Sequence, residues 1–347
     1  MKRIIFVIDT HTLGNPTRVI VGGLPNIPGR SIIEKMLYVK KNLDHVISGI
    51  IWEPRGHDDM GAAILVPPST DEADVGIIFR GALDYLAMCG HMTIGVVTAL
   101  IETGIVDYKE PETTLRLETP AGIVTVRARV KGGQVENVTF RNVPSFLYKD
   151  NCVISVPGLG EIYGDIAFGG NFYFIVSMEK NKMPKLSIDE LVSVAGKILA
   201  KVNETYRVQH PEISELNKID AVVFTSSPTH PRANLRVIYV KGTHIDRSPC
   251  GTGTSAVMAS LYSKGELRDE TFVSESILGG LYLGKIVHRT KVGRFDAIVP
   301  EITGKAWIHG YNMIVIDEGD PFKYGFRLRE GMTKIPPSID PYRWISS

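Results

Sequence analysis

Cysteine is scarce in this chain of 347 residues, which has three, at positions 89, 152 and 250. Cysteines so few and so far apart exclude a disulfide framework and a zinc site with CxxC spacing. Long apolar runs are missing too, since the run at residues 4–8 is too short for a signal peptide core or a membrane span. We therefore expect a cytoplasmic protein without a membrane segment.

An excess of charge of one sign is also absent. The 39 basic and 38 acidic residues leave a formal net charge of +1. Such a balance gives no general attraction to nucleic acid or to an anionic membrane. The composition, 44% hydrophobic and 22% charged, is that of a globular chain with one large core or two moderate ones. We expect two domains and a small-molecule partner.

Strand-like runs dominate the chain, with a few amphipathic helices between them. Runs rich in β-branched residues and bounded by Gly, Pro, Asn or Asp predict strands, among them 18–23, 75–79, 114–130, 171–176, 221–224, 235–240 and 312–317. Two helices begin with capping-box spacing, Ser31 with Glu34 and Ser187 with Glu190. The pattern predicts an α/β chain with many strands.

A repeated segment is the most informative feature. MCGHMTIGVVTALIETG (88–104) aligns without gaps with PCGTGTSAVMASLYSKG (249–265), at a constant offset of 161 residues (250 − 89). The alignment pairs Cys89 with Cys250, and a glycine follows the cysteine in both copies. Each copy follows a strand-like run and continues as a helix that ends at a glycine suited to the C′ position. We infer a duplicated domain with pseudo-twofold symmetry.

The repeated cysteines stand where a thiol ionises readily. A helix N-terminus has backbone N–H groups without intrahelical acceptors and a partial positive charge. This setting lowers the pKa of a thiol from about 8.5 to roughly 3.5–7.5. If Cys89 and Cys250 face each other across a ligand, one thiolate removes a proton from a carbon and the opposite thiol delivers one to the other face. The arrangement favours stereochemical inversion without pyridoxal phosphate.

Other roles for these residues stay open at this point. The repeated cysteines are also compatible with structural thiols, with a peptidase nucleophile at Cys89, and with a metal site that adds His91. A structural role leaves the following glycines unexplained, and a peptidase leaves the second Cys-Gly unexplained. His91 and Asp246 are either ordinary polar residues or the groups that hold a substrate's ammonium. We expect Cys152 to be a buried structural cysteine.

These motifs resemble those of the proline racemase family, which includes 4-hydroxyproline 2-epimerases and trans-3-hydroxyproline dehydratases. MCGH at 88–91 and DRSPCGTGTSA at 246–256 are similar to its two signatures, and IDTHTLGNPTRVIVGGLPNIPG, EPRGHDDM, DIAFGGNF and ITGKAWI to its other landmarks. The resemblance implies an α+β fold like that of diaminopimelate epimerase. It has two pseudo-symmetric domains, here 1–125 with 305–347 and 126–304, each with strands wrapped around a central helix. The active site is expected in the interdomain cleft.

The roles of the site residues also come from the resemblance. Cys89 and Cys250 are implied to be the two acid/base thiols. Four backbone amides are implied to bind the substrate carboxylate, those of Gly90, His91, Gly251 and Thr252. The side chains of His91 and Asp246 are implied to contact the ring nitrogen of the substrate. No cofactor and no metal are implied, and homodimers are usual in the family.

Within the family, the presence of both cysteines favours a racemase or epimerase, because the dehydratases typically have threonine or serine in place of one. We predict a cofactor-independent enzyme that interconverts L- and D-proline. The alternative is a 4-hydroxyproline 2-epimerase, because Gly61 and Val240 align with positions where proline-specific members have bulky pocket aromatics, which predicts a roomier pocket. Met92 replaces a glycine common at its position. Further alternatives are a trans-3-hydroxyproline dehydratase and a non-catalytic imino-acid-binding protein.

Overall fold

The computed structural model describes residues 2–214, 216–267 and 269–327. It divides into two compact units. Unit 1 comprises the described residues of Met1–Thr12, Pro16–Glu136 and Ala306–Ser347, and unit 2 comprises those of Leu13–Asn15 and Asn137–Lys305. Strands outnumber helices, eighteen to five, in the part of the chain that the structure describes. The predicted α+β class is therefore confirmed.

The secondary-structure elements are numbered in chain order. The strands are β1 (Lys2–Thr12), β2 (Asn15–Gly22), β3 (Gly61–Val66), β4 (Val75–Arg80), β5 (Tyr85–Leu86), β6 (Glu112–Thr119), β7 (Gly122–Lys131), β8 (Gln134–Arg141), β9 (Ser145–Val156), β10 (Gly160–Phe168), β11 (Phe172–Ser177), β12 (Ile219–Ser226), β13 (Leu235–Lys241), β14 (His244–Ile245), β15 (Thr271–Glu275), β16 (Leu281–Val292), β17 (Phe295–Gly304) and β18 (Ala306–Asp317). The helices are α1 (Ile32–Asn42), α2 (Asp44–Ile51), α3 (Gly90–Glu102), α4 (Ile188–Thr205) and α5 (Gly251–Ser263).

In unit 1, helix α3 is enclosed by strands. It packs against β1, β3 and β18, and its first twelve residues are all buried. A helix buried on every side has no polar face, which explains its run of Ile, Val, Ala, Leu and small residues. The small residues permit close approach, since a Cβ added at Gly95 would lie 2.5 Å from Thr10 Oγ1. A second core in this unit joins α1 and α2 to the neighbouring strands through Val39, Ile47 and Ile64.

In unit 2, helix α5 has the matching position. It packs against β9, β10, β11, β13, β16 and β17, and its first ten residues are buried. Helix α4 lies against β9, β12 and β13 and closes a core that includes Leu191, Ile198 and Val222. Ser187 and Glu190 form the complete capping box that the sequence predicts at the start of α4.

The duplication extends beyond the repeated helices. β4 pairs in parallel with β6 in unit 1, and β13 pairs in parallel with β15 in unit 2. Each unit also has a glutamate carboxylate that accepts two hydrogen bonds from one Ser or Thr residue. Glu118 accepts the backbone N–H and the hydroxyl of Ser69, and Glu275 accepts the same two groups of Thr229. Two units with one pattern of strands, helix and carboxylate anchor agree with the inferred duplication.

Candidate active site

Cys89 is the N-cap residue of α3 in unit 1. Its backbone is extended, with φ −144° and ψ 115°, and its side chain makes no capping hydrogen bond. The sulfur lies 3.4 Å from His91 Nδ1, and both residues are 8% exposed. Thr12 Oγ1 donates a hydrogen bond of 2.7 Å to the His91 carbonyl oxygen, which ties the first turn of α3 to β1. Unit 1 thus places a buried thiol beside an imidazole.

Cys250 is the N-cap residue of α5 in unit 2, with a different local geometry. Its φ is 55°, a left-handed conformation that residues other than glycine rarely adopt. The sulfur accepts the backbone N–H of Gly253 at 3.3 Å, and Thr252 Oγ1 lies 3.6 Å from it. Hydrogen-bond donors to a sulfur stabilise its ionised form. Unit 2 thus places a buried thiol among donors from the first helical turn.

Two tyrosines, the buried Tyr173 and the half-buried Tyr239, lie near the first turn of α5. The Tyr173 hydroxyl oxygen is 2.8 Å from Thr252 Oγ1, and Asn171 Nδ2 donates to that hydroxyl oxygen at 3.3 Å. The Tyr239 ring lies edge-on to the Tyr173 ring, with 5.9 Å between centroids. Burial is the main cause that raises the pKa of both phenols well above 10, and the charge of Cys250 adds to it. Both hydroxyls therefore stay protonated at neutral pH.

Asp246 lies in the segment between β14 and α5 and is 4% exposed. Its Oδ1 accepts the backbone N–H and the hydroxyl of Ser248, both at 2.8 Å. The Ser248 hydroxyl oxygen in turn accepts the N–H of Cys250 at 3.3 Å. The charge of Asp246 also contributes to the raised pKa of Tyr239. The structure thus brings Asp246 into the same cluster as Cys250.

The glycines that follow the two cysteines are the first residues of α3 and α5. The first amides of a helix have no acceptor within the helix, so a helix start is a ready site for an anion. Each unit therefore combines a thiol with an anion-binding element. Unit 1 groups Cys89, Gly90 and His91, and unit 2 groups Asp246, Cys250, Gly251 and Thr252.

Gly61 and Val240, the two small residues predicted to enlarge the pocket, both have other side chains packed around them. Val240 belongs to the hydrophobic core of unit 2. Side chains alternate along a strand, so its neighbour Tyr239 lies on the opposite face of β13, near Tyr173. The space above Gly61 is occupied, since a Cβ added there would lie 2.1 Å from Met92 Cε. These surroundings do not test the prediction of a roomier pocket from Gly61 and Val240, which stays a prediction.

Sequence reasoning missed Asn171, Tyr173 and Tyr239. The available signal lay at the DIAFGGNF motif (165–172), whose paired glycines have no strand-forming side chain. A Cβ added at Gly169 would lie 2.2 Å from the Thr252 carbonyl oxygen. Glycine at this position therefore lets the end of β10 approach the first turn of α5, and the chain that follows brings Asn171 and Tyr173 to Thr252.

Cys152 has the environment of a structural thiol. It is 1% exposed, within the core of unit 2. Burial, the largest cause, raises the pKa of its thiol to about 11. At neutral pH this cysteine is protonated and inert, in agreement with the role predicted for it.

A cavity of about 450 Å³ in unit 2 lies away from these residues. It is lined in part by Ser260 and Lys264 near the C-terminal end of α5, and by Asp165, whose carboxylate contacts both. None of the predicted site residues lines this cavity. It is therefore separate from the cluster around Cys250.

In residues 2–214, 216–267 and 269–327, no three or more His, Cys, Asp or Glu side chains are grouped so that they could hold a metal ion. No helix in these ranges is long and apolar enough to cross a membrane.

Comparison with known proteins places these features in context. A family model described as proline racemase matches residues 7–327. The chain is 46% identical over 332 residues to a proline racemase of Clostridioides difficile, an alignment that covers 94% of this chain and 99% of the relative. It is 42% identical over 327 residues to a 4-hydroxyproline epimerase of Brucella abortus (strain S19), covering 93% and 98%. A solved hydroxyproline epimerase of Agrobacterium vitis, with bound trans-4-OH-L-proline, is 30% identical with a TM-score of 0.84, covering 96% of each chain.

Proposed function

Because this chain belongs to the proline racemase family, we propose that it interconverts L- and D-proline with two cysteine thiols and no added cofactor. The observation that carries the proposal is the pair of Cys-Gly helix starts, one in each unit, each with a buried thiol at the N-cap. The 46% identical relative named proline racemase supports proline as the substrate. Like the named racemases and epimerases, the enzyme is an isomerase.

In the proposed reaction one cysteine is a thiolate and the other a thiol. The thiolate takes the α-proton, its S–H bond forms as the C–H bond breaks, and the electron pair moves into the carboxylate as an enolate-like anion. The opposite thiol then gives its proton to the other face of the α-carbon and becomes the thiolate. The product has the inverted configuration, and no electrons are gained or lost. Turnover in the other direction restores the first protonation state.

Substrate binding in this proposal uses the two helix starts. The first amides of α3 and α5, at Gly90 and Gly251, would hold the carboxylate and stabilise its growing charge. Asp246, with His91, would hold the ring nitrogen. The mechanism requires the two thiols to reach opposite faces of one α-carbon, which is the arrangement that the resemblance implies for the predicted domains 1–125 with 305–347 and 126–304. It also requires both thiols to be reduced, which fits the cytoplasm.

The second candidate is a 4-hydroxyproline 2-epimerase with the same residues. The 42% identical relative and the Agrobacterium vitis structure, both named for hydroxyproline, support it. Proline is preferred here because Met92 fills the space above Gly61, and because the bulky Tyr239 packs on Tyr173, which contacts Thr252 in the first turn of α5. Met92 and Tyr239 each leave less room for a hydroxyl group on the substrate ring than the small residues Gly61 and Val240 suggest.

The test is proton NMR of L-proline and of trans-4-hydroxy-L-proline in D₂O with reduced enzyme, followed by chiral chromatography. We expect the α-proton signal of proline to disappear and D-proline to form, with a slower reaction on hydroxyproline. A faster reaction on hydroxyproline would make the epimerase the function. Binding of pyrrole-2-carboxylate, a planar mimic of the deprotonated substrate, without α-proton exchange would indicate a binding protein. Elimination of water from 3-hydroxyproline would indicate a dehydratase.

A homodimer is also part of the proposal, and an apolar face of unit 1 supports it. Outward residues of β1 and the paired β18 are exposed in adjacent positions, namely Ile4, Phe6, Tyr311, Met313 and Val315. These neighbouring exposed side chains form an apolar patch of the kind that marks a protein–protein interface. The Lys2–Asp317 ion pair at one end is neutral overall, so a second copy meets no net repulsion.

Light scattering with size-exclusion chromatography tests this dimer. We expect twice the chain mass, and a substantial shift toward monomer for Met313→Glu, whose charge would be buried between copies. Leu283→Glu, an exposed substitution on β16 of unit 2, is the matched control and should remain dimeric. A monomeric wild type, or a Met313→Glu variant that stays dimeric, would contradict the use of this face.

A further inference from the structure

A cavity of about 440 Å³ lies in unit 1, at the carboxyl ends of β2 and β3. The two strands pair in parallel, from Thr17 with Gly61 to Ile20 with Ile64, and α1 and α2 connect them. Where parallel strands are joined by helices, ligands bind in the crevice at the carboxyl ends of the strands. The cavity therefore lies where this type of fold places a ligand.

Apolar side chains form most of the cavity wall. They come from the end of β2, the loop between β2 and α1, and the end of β3, and they include the 38% exposed Val21. Three lining residues are prolines, Pro25, Pro28 and Pro67, which have no backbone N–H to offer a ligand. Among the described lining residues none is acidic, and Lys35 is the only charged one. The cavity is therefore apolar with a single positive charge.

Lys35 belongs to α1 and is buried to an extent that is rare for a lysine. The residue is 8% exposed, and its Nζ donates a hydrogen bond of 2.6 Å to the carbonyl oxygen of Pro67, which also lines the cavity. The loop covers its stem, since a Cβ added at Gly29 would lie 2.8 Å from Lys35 Cγ. An ammonium group has three N–H bonds, and in the described part of the chain this contact uses one. Two donors of a buried cation remain for a ligand.

Two carboxylates that neighbour this region bind other groups. Glu34, which precedes Lys35, is exposed and accepts the backbone N–H of Arg30 at 2.8 Å. Glu118 accepts the backbone N–H and the hydroxyl of Ser69, just after β3. Among the residues that the structure describes, Lys35 therefore has a carbonyl partner but no carboxylate partner. Because a buried charge without an opposite charge is costly, an anion in the cavity would be stabilised.

The matching helix of unit 2 has no charge at this position. α4 connects the parallel strands β11 and β12, as α1 and α2 connect β2 and β3. Both α1 and α4 begin with a serine N-cap and a glutamate three residues later. The residue after that glutamate is Lys35 in α1 and Leu191 in α4, where it is 4% exposed within the core. This helix start therefore does not require a buried lysine in order to fold.

From these contacts we propose that the cavity binds a monocarboxylate with an apolar body, whose carboxylate pairs with Lys35. One cation matches one negative charge, and the three prolines leave few backbone donors for the additional oxygens of a phosphate. Because no described lining residue is acidic, the cavity has no carboxylate for the ammonium of a free amino acid such as proline. None of the predicted site residues lines it, so this site is separate from the proposed active site.

Calorimetric titration of the full chain with octanoate tests this site. Octanoate has one carboxylate and an apolar body, and we expect a dissociation constant of about 1 mM or below. 1-Octanol, which has the same body without the charge, should bind about tenfold more weakly or worse, and inorganic phosphate should also bind more weakly. The titration is repeated with saturating DL-proline, which would occupy the proposed active site. The affinity for octanoate should not change.

Variants of the lining locate the binding. Lys35→Met keeps the apolar stem but removes the charge, and it should weaken octanoate binding by about tenfold or more. Lys41→Met is the matched control, because Lys41 is exposed on the same helix and does not line the cavity. Val21→Glu, which adds a carboxylate to the lining, should also weaken binding, whereas Ile123→Glu at an exposed position of β7 should not.

Three results would overturn the proposal: no octanoate binding to the wild type, equal affinities of Lys35→Met and the wild type, or displacement of octanoate by proline. Tighter binding of phosphate than of octanoate would overturn the assigned ligand class. Circular dichroism checks that each variant folds. If Lys35→Met does not fold, Val21→Glu decides, and an unchanged affinity in that variant contradicts the site.

The outcome is separable from that of the proposed function. If proline shows no α-proton exchange but octanoate binds with the expected dependence on Lys35, the racemase assignment fails and this site stands. If exchange occurs and octanoate does not bind, this site alone fails.

Discussion

The starts of α3 in unit 1 and α5 in unit 2 share one scaffold but treat their cysteines differently. Both helices have 13 residues and are followed by a glycine with positive φ, 70° at Gly104 and 69° at Gly265. The difference lies two residues after each cysteine, where the repeat pairs His91 with Thr252. The His91 side chain lies beside the Cys89 sulfur, and the Thr252 side chain lies beside the Cys250 sulfur. The two units thus share the helix and its terminal glycine but differ in the backbone of the N-cap cysteine and in the side chain beside its sulfur.

The side chains that fill the space between the helix start and the neighbouring strand also differ between the two units. In unit 1 a large helix residue, Met92, covers a small strand residue, Gly61. The repeat pairs Met92 with Gly253 in unit 2, and a Cβ added at Gly253 would lie 3.4 Å from the larger strand residue Val223. The volume between helix and strand is filled from opposite sides in the two units. Symmetric backbones therefore do not require symmetric side chains around the two thiols.

The largest expected effect comes from removing either thiol. If both are acid/base groups, Cys89→Ser and Cys250→Ser should each lower kcat/KM for proline by about 10²–10⁴-fold, in both directions of the reaction. Chiral chromatography of initial rates from L- and D-proline measures this. Cys152→Ser is the matched control, because its thiol is buried in the core and protonated at neutral pH, and it should keep the wild-type rate. A Cys250→Ser enzyme with unimpaired activity would rule out the two-thiol mechanism.

Local signals in the sequence predicted much of this comparison. The Cys-Gly repeat predicted both helix starts, and the Ser187–Glu190 spacing predicted the cap of α4, because caps depend on residues three or four apart. The contact between Tyr173 and Thr252 was missed because the two residues are 79 apart in sequence and meet only through packing of β11 on α5. The face of β13 on which Val240 lies could not be predicted, because a shift of one residue along a strand moves a side chain to the other face.

A smaller effect is expected from Gly61→Ala, which tests the exchanged packing. The new Cβ would lie 2.1 Å from Met92 Cε and 3.1 Å from the Arg80 carbonyl oxygen, so the buried methionine must move. Overpacking of this kind should lower the free energy of unfolding by about 1–3 kcal/mol, as measured by urea titration. In a Met92→Ala background the same substitution should cost less, because the obstructing methyl is gone. Equal costs in both backgrounds would show that Met92 is not the obstacle.

The smallest effect, about 1 kcal/mol, is expected at the shared C′ glycines. Nothing lies within 4 Å of a Cβ added at Gly104 or Gly265, so alanine there would add only the cost of the left-handed backbone. Gly196→Ala in α4 is the matched control. Its Cβ would also meet open space, but the helical backbone suits alanine, so it should raise the free energy of unfolding by about 0.5–1 kcal/mol. Similar losses of unfolding free energy for Gly104→Ala and Gly265→Ala in urea titrations would show that both helices end with the same kind of glycine C′ turn. A loss at only one of the two positions would limit the symmetry to the helix starts.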